Sequence, residues 1–167
     1  MFQGNMNTHI ASCRWLALRA LLPLALAGAC GSAKPPAPRG PLAKGSASLE
    51  VIVEGVSGAN GHIRCALFDT PDGFPGPSPV QNGNVAASPA EGAKCQFSDL
   101  PAGAYAVTVY HDANDNQKID TSVFGAPTEG YGATKNKLPA MSPPNFAESS
   151  VVLVDGQTAT ERVKLKY

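Results

Sequence analysis

At 167 residues the chain has room for one ordinary domain, and its formal charge is zero. The charge is unevenly spread: every Asp and Glu lies at or after Glu50, and from there 13 acids stand against eight bases, about −5. An acidic folded part excludes a nucleic-acid binder, which needs a basic face, while abundant Gly and Pro with few aromatics imply short strands joined by many turns.

The chain opens on a segment that is not fold. Arg14 and Arg19 flank the start of an apolar run, Ala20 to Ala29, too short to span a bilayer. Small residues Ala27-Gly28-Ala29 then precede Cys30, the pattern of a secretory signal over 1–29. Leu26-Ala27-Gly28-Ala29-Cys30 also resembles a bacterial lipobox, which implies a lipid on Cys30 and a membrane as partner. The alternative is plain cleavage and a soluble periplasmic or extracellular protein. Residues 30–47 are rich in Pro, Ala and Gly and have little to bury, so they read as a flexible tether. Export to an oxidising compartment leaves Cys65 and Cys95 as a natural disulfide pair; two buried thiols that never meet are the alternative.

The remaining 48–167 form the folded domain. Ser48 to Glu54 alternates, with Leu49, Val51 and Val53 on one face, as a half-buried strand does. Asn60-Gly61 turns the chain. His62 to Asp69 puts Ile63, Cys65 and Leu67 together. Thr70 to Ser88, with four prolines, reads as a long loop, and Ala93 to Ser98 as a short strand carrying Cys95 and Phe97 on one side. After the turn Leu100-Pro101-Ala102-Gly103, residues Ala104 to His111 form the strongest strand, with Tyr105, Val107, Val109 and His111 on one face. No periodicity runs from Asp112 to Glu148, and a structureless run of that length is more often functional than idle. Ser149 to Val154 and Thr158 to Tyr167 close the chain, the latter with Val163, Leu165 and Tyr167 inward. Six to seven short strands and one long loop imply an all-β, antiparallel Greek-key β-sandwich, here a monomer.

The densest chemistry is Tyr110 to Asp120. Short oxygen-bearing side chains recur at Asp112, Asn114 and Asn116; Lys118 can offer its carbonyl, and Asp120 another carboxylate. A loop that curls around calcium uses this spacing. Glu129 is the nearest further ligand. The sixth position, where such a loop takes Gly, is Gln117, and the twelfth is Val123 rather than Glu. The other outcome is a turn whose Asx side chains bond their own backbone.

Two stretches carry a family resemblance. Phe97-Ser98-Asp99-Leu100-Pro101-Ala102-Gly103-Ala104-Tyr105 resembles the turn of transthyretin-like and carboxypeptidase-regulatory-like sandwiches, which implies a prealbumin-like fold. Tyr110 to Asp120, then Phe124 to Gly132, then Pro144-Asn145-Phe146, resemble the bacterial domain-of-unknown-function family 2141 over Leu49 to Tyr167. The chain departs from that family at Gln117, where Gly is usual, and at Ala133-Thr134-Lys135-Asn136, where Ser-Asn-Asn is usual. The resemblance implies an exported domain and no particular activity.

Three functions follow as expectations. The first is a non-enzymatic binding or envelope-structural module with a calcium loop. The second uses the 124–146 loop to grip a carbohydrate or peptide through Phe124, Tyr131 and Phe146, with an envelope polysaccharide or protein as partner; the same aromatics can instead fold back over the sandwich. The third is a hydrolase using His111 and Asp112, but no nucleophile elbow or His-rich zinc spacing accompanies them, so no catalytic residue is assigned. Gly125, Gly130 and Gly132 read as tight turns.

Overall fold

A computed structural model describes residues 42–140 and 142–167. The signal segment 1–29, Cys30 and most of the tether 30–47 lie outside the described residues. Among those described, no helix is long and apolar enough to cross a membrane.

Among the described residues, eight strands pack as two sheets. They are β1 (Ala47–Glu54), β2 (His62–Phe68), β3 (Gln81–Ala86), β4 (Ala93–Leu100), β5 (Gly103–Asp112), β6 (Tyr131–Ala133), β7 (Val151–Leu153) and β8 (Thr158–Lys164), with a four-residue helix α1 (Phe146–Ser149) before β7. The smaller sheet runs β4-β1-β8 and the larger β3-β2-β5-β6, with β7 also paired to β5. The sandwich is not wholly antiparallel: β1 and β8 pair in parallel, from Ser48↔Thr158 to Glu54↔Lys164. The predicted loop 70–88 also contains a strand, β3, which pairs antiparallel with β2.

Alternation decides what is buried. Leu49, Val51 and Val53 of β1, Ile63 and Leu67 of β2, Phe97 of β4, Val107 and Val109 of β5 and Val163 of β8 meet between the sheets, each at most 1% accessible. A core of this kind is the main favourable term in folding, each fully buried aliphatic or Phe side chain contributing about 1.5–3 kcal/mol. Cys65 and Cys95 face each other across it, with Cα atoms 6.5 Å apart, and form the predicted disulfide between the two sheets. Leu165 is buried as expected, whereas Tyr167 is 55% exposed.

The edge of β5 changes partner half-way. Gly103 to Tyr105 pair with β7, and Thr108 to Tyr110 pair with β6. The Val107 N–H, in the gap between them, donates to the Thr134 hydroxyl at 3.1 Å, and that hydroxyl donates to the Ser149 carbonyl. Thr134 is fully buried, so its side chain supplies the acceptor that neither short strand can. Two residues on, Asn136 acts similarly at the edge of β8, accepting from Lys164 N and donating to the Arg162 carbonyl, both at 2.8 Å. The long loop is therefore fastened to both sheets near its middle.

Candidate functional site

Strand β5 sorts its last residues to two faces. His111 continues the inward row and is buried. Its Nε2 lies 2.8 Å from the Asn60 carbonyl, which can only accept, so Nε2 carries the proton. Its Nδ1 then accepts from the Tyr167 hydroxyl at 3.0 Å, and that hydroxyl accepts from Ser57 N at 3.0 Å. Both ring nitrogens are thus engaged in holding the C-terminus to the β1–β2 loop. Asp112 points the opposite way, on the outer row with Thr108 and Tyr110, so His111 and Asp112 do not form an acid–base pair.

That outer row matches one on β2: Thr108 faces Ala66, Tyr110 faces Arg64, and Asp112 faces His62. Asp112 is completely buried and accepts three N–H groups. Its Oδ1 accepts from Asn116 N at 3.0 Å, and its Oδ2 accepts from Gln117 N at 2.9 Å and from Arg64 Nε. Burial pushes the Asp112 carboxyl up, but the Arg64 guanidinium and the Gln117 and Asn116 amides outweigh it and hold the group below its ordinary value. Next to this pair, His62 Nδ1 bonds Asp115 Oδ1. Neither Arg64 nor His62 was singled out from sequence as part of this site.

The loop closes on itself beyond Asp112. Asn114 Oδ1 accepts from Asn116 N at 3.1 Å, and Asn116 Oδ1 from Lys118 N at 2.8 Å, two Asx turns in series. The two Asn amides donate to the Asp120 carboxylate at 2.8 and 2.9 Å. Asp112, Asn114, Asn116 and Asp120 are therefore joined in one run of hydrogen bonds, Asp112 through the Asn116 N–H and Asp120 through the two Asn amides. Glu129, buried, lies at the other side and accepts from Ala113 N at 3.1 Å and Asp120 N at 3.0 Å, stitching the two ends of the loop. The Lys118 side chain is exposed. Gln117 takes φ +66°, the left-handed turn for which glycine was expected. Among the described residues, no three His, Cys, Asp or Glu side chains cluster closely enough to hold a metal on their own.

From Asp120 the chain forms a small hairpin. Thr128 N bonds the Asp120 carbonyl at 2.9 Å and Ser122 N bonds the Ala126 carbonyl at 2.7 Å, leaving Val123 and Phe124 at the tip, 95% and 94% exposed. Gly125 does sit in a tight turn, at φ +80°. Gly130 and Gly132 serve differently: a Cβ would come within 2.3 Å of the Tyr167 ring at the first and 2.5 Å of Val163 at the second. They are glycines for close packing, not for turning.

Between this hairpin and two proline-rich segments runs a groove of about 740 Å³ on the outer face of the larger sheet. Its floor is Ala66, Thr108, Tyr110 and Tyr131, and its walls include Pro75 and Pro77 on one side and Ile119 and Phe124 on the other. Burial raises the Tyr110 hydroxyl above its ordinary value; Arg64 opposes that, and Asp112 and Glu129 add to it. Of the three aromatics grouped as ligand contacts, Phe124 and Tyr131 line the groove. Phe146 does not: it packs edge-on against Phe74 at 5.7 Å, which packs edge-on against Phe68 at 5.1 Å. Sequence reasoning also passed over Ala66, Thr108 and Tyr110. Their signal was the lack of charge on the outer row Ala106-Thr108-Tyr110 of β5, where a solvated strand face carries some.

Neither the curated proteins nor the solved structures compared with this chain give a match. Residues 51–161 do match the profile of a family described as an uncharacterized protein conserved in bacteria, DUF2141, and the span takes in every strand from β2 to β7, the Asp/Asn loop and most of the groove. The chain belongs to the DUF2141 family.

Proposed function

We propose that this protein is a non-catalytic binding module that seats a small ligand in the groove on the outer face of its larger sheet. The supporting observation is the groove itself: about 740 Å³, lined mainly by apolar and aromatic side chains, with hydroxyls of Thr108, Tyr110 and Tyr131 at its floor. That size and lining are those of small-molecule sites in general. The Asp/Asn loop is the rigid wall, its polar groups turned inward on each other and on Arg64. His111 keeps both nitrogens occupied, which favours binding over catalysis. The test is titration of the purified protein with Nile red, a neutral apolar dye. Dye fluorescence rises on binding and Thr108→Glu, which fills and charges the floor, abolishes the rise; dye binding untouched by Thr108→Glu refutes the groove as the seat.

A second reading, calcium held by the Asp/Asn loop, is favoured by the left-handed turn at Gln117, the position where a calcium loop takes its glycine. Asp112, Asn114, Asn116, Asp120 and the Lys118 carbonyl would hold the ion, which would offset the Asp112 charge that now leans on Arg64 and the Asp120 charge that now rests on two Asn amides. Glu129, the further ligand, like Asp112 now accepts N–H groups with both oxygens, so an ion would compete with those bonds at both carboxylates. Calorimetric titration with calcium chloride decides it: heat and a thermal shift that vanish in Asp120→Ala support the ion, and no heat refutes it. We also infer export and a lipid on Cys30, placing the domain at an envelope membrane. Metabolic labelling with a radioactive fatty acid, lost in Cys30→Ala, tests this.

A further inference from the structure

Resting on the groove reading, we propose that the ligand is a free single-chain amphiphile with one anionic head, of the fatty-acid carboxylate class. The argument is charge complementarity inside an otherwise acidic domain. The folded part carries 13 acids against eight bases from Glu50 onward, yet among the described residues no Asp or Glu lines the groove, and the one ionic residue on it is Lys118. Lys118 sits on the wall beside Gln117, and its backbone N–H is fixed by the Asn116 side chain, so the stem of a flexible cation starts from an ordered base. The carboxylates near the floor are each engaged in the loop: Asp112 with Arg64, Glu129 with two backbone amides and Asp120 with the Asn114 and Asn116 side-chain amides. On the lining itself a carboxylate head would find Lys118 as its counter-charge, whereas a cationic head would meet a like charge there. The rest of the trough is proline rings, Ile119 and three aromatic rings, a surface that accepts an alkyl chain along its length. Its lack of polar groups along most of the walls disfavours a sugar, whose hydroxyls would lose water without replacement.

The experiment displaces Nile red from the purified protein with laurate, lauryl alcohol and lauryltrimethylammonium, each below its aggregation threshold. Laurate is expected to bind about tenfold more tightly than lauryltrimethylammonium, as one charge-assisted hydrogen bond would give. Lys118→Gln is expected to erase that preference, Lys118→Arg to keep it, and both to leave lauryl alcohol unchanged; added salt should shrink it. Equal or tighter binding of lauryltrimethylammonium, or a preference that survives Lys118→Gln, overturns the anionic class while leaving the groove in place. Dye binding indifferent to Thr108→Glu overturns the groove and this proposal together. Co-sedimentation with phosphatidylglycerol vesicles without laurate binding would make the surface a membrane face and also overturn it.

Discussion

Removing the Asp112 carboxylate should free the loop and leave the sheets standing. In Asp112→Ala the Gln117 N–H loses its acceptor, the Asn116 N–H keeps only Asn114 Oδ1, and Arg64 loses the closer of its two carboxylates, a contact whose side chains are only 21% and 0% accessible, keeping Asp115 at 3.8 Å. Breaking one side of a buried ion pair costs about 3–5 kcal/mol; with Arg64 partly wet, the lower end, about 3 kcal/mol, is the better figure. That energy falls on the opening of residues 113–130, because the core strands meet through apolar contacts that Asp112 does not touch. Amide hydrogen exchange reads it directly: protection at Ala113, Asn116, Gln117 and Asp120 should drop on the order of 100-fold, with β1 and the middle of β2 unchanged. Adding Arg64→Met should recover part of the loss, since no charge is then left unpaired. A drop of less than about fivefold, or one spread evenly over β1 and β2, would refute the claim that Asp112 is the loop's anchor.

Other outcomes follow from the same contacts. Gln117→Gly relieves a left-handed residue worth about 1–2 kcal/mol but gives back about 0.4–1 kcal/mol of chain entropy. A net gain of about 0.5–1 kcal/mol, seen as a higher urea midpoint at unchanged slope, is expected. Asp112 has a lowered folded-state pKa, so its contribution is present above its unfolded value near pH 4 and is lost as pH falls through the folded value. Urea midpoints measured down that range should fall for the native chain and fall less steeply for Asp112→Asn. The disulfide closes a separation of 30 residues, for which chain entropy gives roughly 3–4 kcal/mol; Cys65→Ser with Cys95→Ser should lower stability by about that much in chemical denaturation. Thr134→Val strands the Val107 N–H and should cost about 1–3 kcal/mol, with fast exchange at that amide.

Much of the sandwich could be read from residues because its cause is local. Leu49-Val51-Val53, Ile63-Cys65-Leu67 and Tyr105-Val107-Val109 alternate, and alternation is what one dry face requires. Strand β3 escaped notice because Gln81-Asn82-Gly83-Asn84 has turn composition and its residues alternate only between half-buried and exposed; β2 imposes the extended form on it. The parallel β1–β8 pair joins the two ends of the domain, a choice no local pattern encodes. The Asp/Asn loop was visible as a spacing, but Arg64, which anchors it, lies 48 residues away in sequence. The groove was least visible, since prolines near 75, the hairpin after Asp120 and residues 139–140 and 142–144 make its walls only once the chain has folded.

A nuclear magnetic resonance shift map of the protein titrated with laurate locates the binding surface directly. The amides of Ala66, Thr108, Tyr110 and Ile119 should move together and saturate at one concentration. Shifts confined instead to the exposed Val152 and Val154 on the β7 side, or no saturable shifts anywhere, would contradict a ligand seat on the outer face of the larger sheet.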